Sequence, residues 1–536
     1  MRNVYIALAF ALVCAWLAAL GGPSLISSDE GRYASLSLAM LQSGDWVTPR
    51  LNGLLYFEKP PLQYWAGALS MAVFGVSEFA ARLWPGLSGL ATVALVAFTA
   101  QRLWGAVEGY CALCIAGSTT WIVLNSHFLT LDAGLCAALT LVLCALLLAE
   151  RPGLRPSVRR RWVLVAWAAM GLAVLSKGLV GVVIPGMSLA IASLWQRDLT
   201  LWRRLHWTAG LAVLLAITVP WFAVVSIRNP EFARFFFIHE HFERFLTATH
   251  HREGAWWYFI PYVLIGFMPW TSALPWLGRH RQPDRASTLL WSWAAFTFVF
   301  FSVSESKLPS YILPMFPAVS LLLARRLPEV SARALRLHLL SPSILWVAVL
   351  LVATQSRRFV SAQTPQAAVS ALAEGLVVAA VLSLIALFGA AQLLRRNRIA
   401  AALALVASAH LVATLLVLQS HDRYGQLKSS DKIAEVLERV IEPDTPVFSV
   451  GAYDQTLPFY LRRPVTLVAY RDEFALGEDL EPARWIPTID AFAAHWTNVP
   501  RAAAYMTSET LERLRTMGLQ MHVVFRDPRR VVVVKP

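Results

Sequence analysis

Between Val4 and Leu418 this chain returns repeatedly to apolar runs, many of about 17–25 residues, the length that crosses the hydrocarbon core of a bilayer. They fall near Val4–Leu20, Trp84–Ala100, Val107–Leu124, Leu131–Leu148, Val163–Leu175, Leu179–Trp195, Thr208–Val225, Trp256–Trp276, Leu289–Val303, Tyr311–Ala324, Ile344–Ala353, Val369–Leu394 and Ile399–Leu418. Only 15% of residues are charged and 57% are hydrophobic, whereas a soluble domain carries about 25% charge. The expected fold class is therefore mainly α: a polytopic membrane protein with about thirteen transmembrane helices. The first run follows Arg2 and ends in small residues, which also fits a cleaved signal peptide. An odd number of spans, with that run retained, gives the better charge pattern.

With the N-terminus in the cytoplasm, five short inner loops are basic: "RPGLRPSVRRR", "RDLTLWRR", "RHRQPDR", "RRLPEVSARALR" and "RRNR". They hold eighteen arginines, more than the net charge of +14, and the positive-inside rule then sets the orientation. Because this charge is spread over separate loops, it reads as topology, and a nucleic-acid partner is not expected. All five cysteines lie within apolar runs. "CALC", Cys111 to Cys114, has redox or metal spacing, but within a span it reads as small core residues.

Three polar stretches fall on the outer side, at about 21–82, 227–255 and 420–536. The division expected is a membrane domain over residues 1–419 and a small α/β domain over 420–536. In the latter, "SSDKIAEVLERVI" reads as a helix capped by Ser430 or Asp431. "PVFSVG", "PVTLVA", "AAAYM", "MHVVF" and "RVVVVKP" read as short strands. The tail shows no catalytic cluster and is expected to cover or shape whatever opens on the outer face.

Charged residues on that face carry the chemistry. "SSDEGRYA" has capping-box spacing from Ser27 to Glu30 and opens a surface helix that stops at Gly44. Capping needs one acid, however, and here Asp29, Glu30 and Arg32 crowd an apolar boundary where charge is costly. "YFEKPPLQYW" adds Glu58 and Lys59; Asp132 and Lys177 stand at the outer ends of apolar runs. "RFFFIHEHFERF" adds His239, Glu243 and Arg244, with His239 and Glu243 on one face if the segment is α-helical. "SESKLPSYILP" adds Lys307 and Tyr311. Each taken singly also reads as a snorkelling or surface residue. Snorkelling would favour the basic inner side, yet all of these map to the outer one. Lysines, arginines and a tyrosine beside carboxylates at lipid depth suit an anionic lipid headgroup, with a carboxylate to help an incoming nucleophile.

"DEGRYA", "GDW" followed by "FEKPPLQYW", "LSKG", "FFFIHEHFERF", "WWYFIPYVLIGFMPW" and "SESKLPSYILP" resemble, in order, segments of the bacterial aminoarabinose transferases of lipid A. These belong with the protein O-mannosyltransferases among membrane glycosyltransferases of GT-C type. The motifs are specific as an ordered set from about Val4 to Ala324, and the tail offers none to match. The resemblance implies an inverting transfer of sugar from undecaprenyl phosphate to lipid A or another envelope acceptor, on the periplasmic face of the bacterial inner membrane. It implies catalytic carboxylates at Asp29 and Asp132. Donor-phosphate contacts would come from Lys59, Arg244 and Tyr311, joined by Lys177 and Arg32. Glu30 and Lys307 would serve the acceptor or the cavity wall. Glu58 and His239 would hold a divalent metal such as zinc in a structural role, and no nucleotide cofactor is implied. A protein O-mannosyltransferase-like enzyme, a flippase for lipid-linked sugars and a membrane scaffold remain as alternatives. Against transport stands the gathering of ionisable groups at one interface, where a transporter places them near the midplane.

Overall fold

The computed structural model describes residues 2–243, 254–278 and 284–535. Among these, seven helices are long and apolar enough to cross a membrane, and a pair bent by 53°, Ala106–Ser118 with Thr120–His127, makes an eighth. Ala7–Gly21 and Val180–Gln196 are shorter apolar helices. Each of the thirteen apolar runs is helical at least in part, but not each is a full span. Proline accounts for much of the difference, because it removes a backbone donor and clashes with the preceding turn. Around Pro269 and Pro275 the run from Trp256 to Trp276 breaks into the short helix Phe259–Gly266 and the 3-10 segment Thr271–Gly278. Beyond Pro309 and Pro314 the next run is reduced to Met315–Arg326.

Helix Leu131–Ala149 is the centre of the bundle: 83% of its apolar window is buried. It packs against Glu78–Leu103 and Pro156–Lys177. Trp207–Arg228 and Gln366–Arg395, at 22% and 28%, keep most of their apolar surface outward. A helix apolar all round can be stable in such an outer position only against lipid.

On one end of the bundle, helix Asp29–Ser43 lies beside Leu62–Phe74. It ends at Gly44, whose left-handed φ of 69° needs no Cβ to be accommodated. The expected capping box does not form. The Ser27 hydroxyl instead donates to Asp454 at 2.7 Å, and Glu30 accepts from Arg82 Nε at 2.7 Å and from the Leu129 amide at 2.9 Å. A short antiparallel ribbon, β1 (Arg50–Leu51) and β2 (Leu54–Leu55), follows.

The C-terminal region begins after helix Ile399–Ser420 and carries a five-stranded mixed sheet. Its strands are β3 (Val447–Val450), β4 (Thr466–Val468), β5 (Ala503–Met506), β6 (His522–Arg526) and β7 (Val531–Val534), in the order β4-β3-β5-β7-β6. β4, β3 and β5 run parallel, while β7 is antiparallel to both of its neighbours. All five expected strand segments are present, as is the helix Asp431–Val440, although neither Ser430 nor Asp431 caps it with a side-chain bond. This sheet is bound to the outer loops. Asn52 Nδ2 donates to the Val465 carbonyl at 2.7 Å and its Oδ1 accepts the Val465 amide at 2.8 Å. Arg50 bonds Glu481 at 2.9 Å.

Candidate active site

Two membrane helices place the first pair of charges. Asp132 stands in the first turn of Leu131–Ala149 and Lys177 ends Pro156–Lys177, so each sits where the helix dipole favours its charge. The Lys177 ammonium bonds the Asp132 carboxylate and lies 4.2 Å from the centroid of the Tyr311 ring. The Asp29–Ser43 helix supplies a second pair: Arg32 Nη1 reaches Asp29 Oδ1 at 3.0 Å. Glu58 and Lys59 precede the Pro60–Pro61 bend, with Lys59 Nζ donating to the Glu58 carbonyl at 2.8 Å.

These residues meet. Asp29, Arg32, Glu58, Lys59, Asp132, Lys177, His239 and Tyr311 all line one cavity of about 210 Å³. Two other expectations fall elsewhere. Glu30 does not line it: 2% exposed, it is spent on the buried ion pair with Arg82 that anchors the helix. Lys307 is buried with its stem against Gly254 and is also absent from the lining. Arg244 lies outside the described residues. The segment Arg234–Glu243 winds as a π-helix, so the one-face argument from α-helical spacing does not carry over to His239 and Glu243.

The tail, expected to cover or shape the outer opening, supplies a wall whose residues sequence reasoning did not name. Asp472, Glu473, Ala475 and Leu476 of the C-terminal domain close the cavity, joined by Tyr33, Thr130 and Phe235. Glu473 Oε1 takes Arg32 Nη2 at 3.3 Å and Gln455 Nε2 at 2.8 Å. Burial raises the Glu473 carboxyl above its ordinary range, and Arg32 and Gln455 only partly oppose it. The adjacent acids in "YRDEF" were the available signal, but nothing in the tail alone says which way they face.

Among the described residues, no group of three or more His, Cys, Asp or Glu side chains is placed to hold a metal ion. Glu58 and His239 are two donors where a structural zinc site takes four. What the cavity does offer is a cluster of cations beside carboxylates in one recess. Such preorganised charge stabilises a departing anion far better than water does.

Residues 26–236 match the family model for dolichyl-phosphate-mannose-protein mannosyltransferases, and residues 433–535 match that of the aminoarabinose transferase C-terminal domain. The crystal structure of ArnT from Cupriavidus metallidurans bound to undecaprenyl phosphate superposes with a TM-score of 0.96 at 38% identity, covering 100% of this chain and 98% of that one. The chain belongs to the aminoarabinose transferase family. An undecaprenyl phosphate-alpha-4-amino-4-deoxy-L-arabinose arabinosyl transferase of Pseudomonas paraeruginosa is 36% identical over 349 residues. That match spans 62% of each chain. The relative of the same description from Edwardsiella ictaluri is 32% identical, over 62% of this chain and 61% of its own length. The archaeal oligosaccharyltransferase AglB of Archaeoglobus fulgidus shares the fold, with a TM-score of 0.52 at 12% identity over 95% of this chain and 70% of that one. In this member of the aminoarabinose transferase family the cavity is composite. Asp29, Lys59, Asp132 and Lys177 fall in the mannosyltransferase-like segment, and Asp472 and Glu473 fall in the C-terminal domain.

Proposed function

We propose that this chain is an inverting glycosyltransferase that moves 4-amino-4-deoxy-L-arabinose from undecaprenyl phosphate to lipid A or another envelope acceptor. It works on the periplasmic face of the bacterial inner membrane, with its N-terminus in the cytoplasm. One observation carries the reading: Asp29, Lys59, Asp132, Lys177 and Tyr311, far apart in sequence, line a single cavity. The similar transferases supply the sugar and its carrier.

In the reaction the bond from the anomeric carbon to the carrier phosphate breaks as a bond to the acceptor oxygen forms. Undecaprenyl phosphate leaves with the bonding electrons. Lys59 and Arg32, with Lys177 behind Tyr311, face that growing charge, and a removed contact of this kind costs on the order of 10²–10³ in rate. Asp29, 37% exposed and oriented by Arg32, is the carboxylate open to an acceptor. Asp132, 7% exposed, is occupied by Lys177 and acts by positioning it. If the acceptor is a phosphate of lipid A, already ionised, Asp29 orients it; a hydroxyl acceptor would hand Asp29 its proton.

The test is mass spectrometry of envelope lipids from cells with and without the protein. Loss of one pentosamine from lipid A in the deletion, restored by the wild-type gene, is expected. A lost hexose on protein, or many glycans altered together, would overturn the acceptor or the enzyme reading respectively.

A further inference from the structure

The helix that begins at Asp29 is clamped, on the face turned away from the cavity, by the C-terminal loop at residues 454–456. Ser27 Oγ, at the helix entry, donates to Asp454 Oδ1 at 2.7 Å, and Ser35 Oγ donates to the Gln455 carbonyl at 3.0 Å. Between them Gly31 packs so closely on the backbone of Gln455 and Thr456 that no Cβ would fit. Positions 27, 31 and 35 are four apart and share one face. Asp29, Arg32 and Tyr33, on the other, line the cavity.

Asp454 is the fixed point of this clamp. Its Oδ1 also accepts the Thr456 amide at 2.9 Å and the Thr456 hydroxyl at 2.6 Å, and its Oδ2 accepts Arg530 Nη1 at 3.2 Å. Arg530 is itself pinned: it donates to Asp527 at 2.7 Å and to the carbonyls of Ser429 and Gln426 at 2.6 and 3.1 Å. The Asp454 and Arg530 side chains are 5% and 7% exposed. A buried ion pair returns little net stability against its desolvation, but one so fully hydrogen-bonded fixes a geometry. Resting on the function proposed above, we infer that Asp454, anchored by Arg530, is a positioning residue: through Ser27 it sets where the Asp29 carboxylate stands against the acceptor. Neither Asp454 nor Ser27 lines the cavity, so their effect on transfer passes through the helix. Misplacing a reacting group by about 1 Å can cost on the order of 10² in rate.

The test uses the full-length protein in lipid nanodiscs. It measures transfer from undecaprenyl-phosphate-linked 4-amino-4-deoxy-L-arabinose to lipid A, affinity for undecaprenyl phosphate, and hydrogen exchange at the amides of residues 29–36. Ser27→Ala removes one hydrogen bond and leaves Asp454 its other three, so the fold should stand. Its kcat should fall roughly tenfold to 100-fold, while the donor KM and undecaprenyl phosphate affinity stay within about twofold. Exchange at the helix entry should quicken. Ser27→Thr keeps the hydroxyl and should restore all three readouts. Asp454→Asn should lower kcat by a similar factor, and the double variant should be no slower than the slower single one, because both act along one path. Wild-type kcat in Ser27→Ala overturns the inference, as does a loss that Ser27→Thr does not restore. So does a loss matched by weaker undecaprenyl phosphate binding, since the clamp would then only hold the cavity together. If the wild type transfers nothing from this donor, the proposed reaction fails, and exchange decides the positioning by itself: unchanged exchange in Ser27→Ala rejects it.

Discussion

Asp29 and Asp132 are the same chemical group in the same cavity, and their neighbours leave them differently exposed. Arg32 holds Asp29 from one side and leaves 37% of its side chain exposed, while Lys177 covers Asp132 to 7%. We expect Asp29→Asn to lower the transfer rate by about 10³ or more while undecaprenyl phosphate affinity stays within twofold; full activity would reject its catalytic role. Lys59→Ala should weaken undecaprenyl phosphate binding by roughly tenfold or more, as loss of a charge-assisted contact implies, and unchanged affinity in purified protein would remove Lys59 from the phosphate site. That both residues belong to the cavity was readable in the sequence, because charge at an apolar boundary demands a reason. Glu30 shows the limit of that reading. It satisfies the same criterion, but the charge it answers is Arg82, more than fifty positions away in sequence, and no local pattern reports such a partner.

Two elements hold the cavity's roof in place. Helix Asp29–Ser43 approaches the C-terminal domain so closely that a Cβ at Gly31 would lie 2.5 Å from the backbone of Gln455 and Thr456. Alanine normally stabilises a helix by up to about 1 kcal/mol relative to glycine. Here the backbone cannot yield as a flexible side chain would, so Gly31→Ala should instead lower the melting temperature by several degrees and reduce transfer. A variant as stable as wild type would show that this docking is looser than the geometry indicates.

The short helix Ala475–Leu480 lines the cavity through Ala475 and packs on β2. Its Glu478 is buried with neither oxygen hydrogen-bonded, and the nearest cation, Arg471, stands 3.7 Å away. Burial pushes this carboxyl up to about 7 from an ordinary 4.5. The folded state therefore retains a proton that the unfolded chain has released between those values. Stability from this group is present below about 4.5 and declines as pH rises through 7. Glu478→Gln should remove that decline and raise the melting temperature by a few degrees at pH 8 but not at pH 4.5. Parallel melting curves for the two proteins across this range would contradict it.

At the scale of the whole molecule, the basic loops and the cavity should face opposite sides of the bilayer. A cysteine at Asp490 in the C-terminal domain should react with a membrane-impermeant maleimide in spheroplasts. One at Arg396, between the last two long apolar helices, should react only after permeabilisation. Labelling at Arg396 but not at Asp490 without permeabilisation would invert the topology proposed here, and labelling of both would place the two on one side.

Local chemistry was enough to announce a membrane protein, its basic loops, the five β segments of the tail and most of the charged residues of the site. Hydrophobic run length, β-branched runs and the cost of charge near lipid act over neighbouring residues, so they leave a trace in the sequence. The diversion of Glu30 and the contribution of Asp472 and Glu473 depended on long-range packing. Those outcomes are set by which surfaces meet: a carboxylate is a site residue or a strut according to the partner brought to it from elsewhere in the chain, and only the assembled structure supplies that partner.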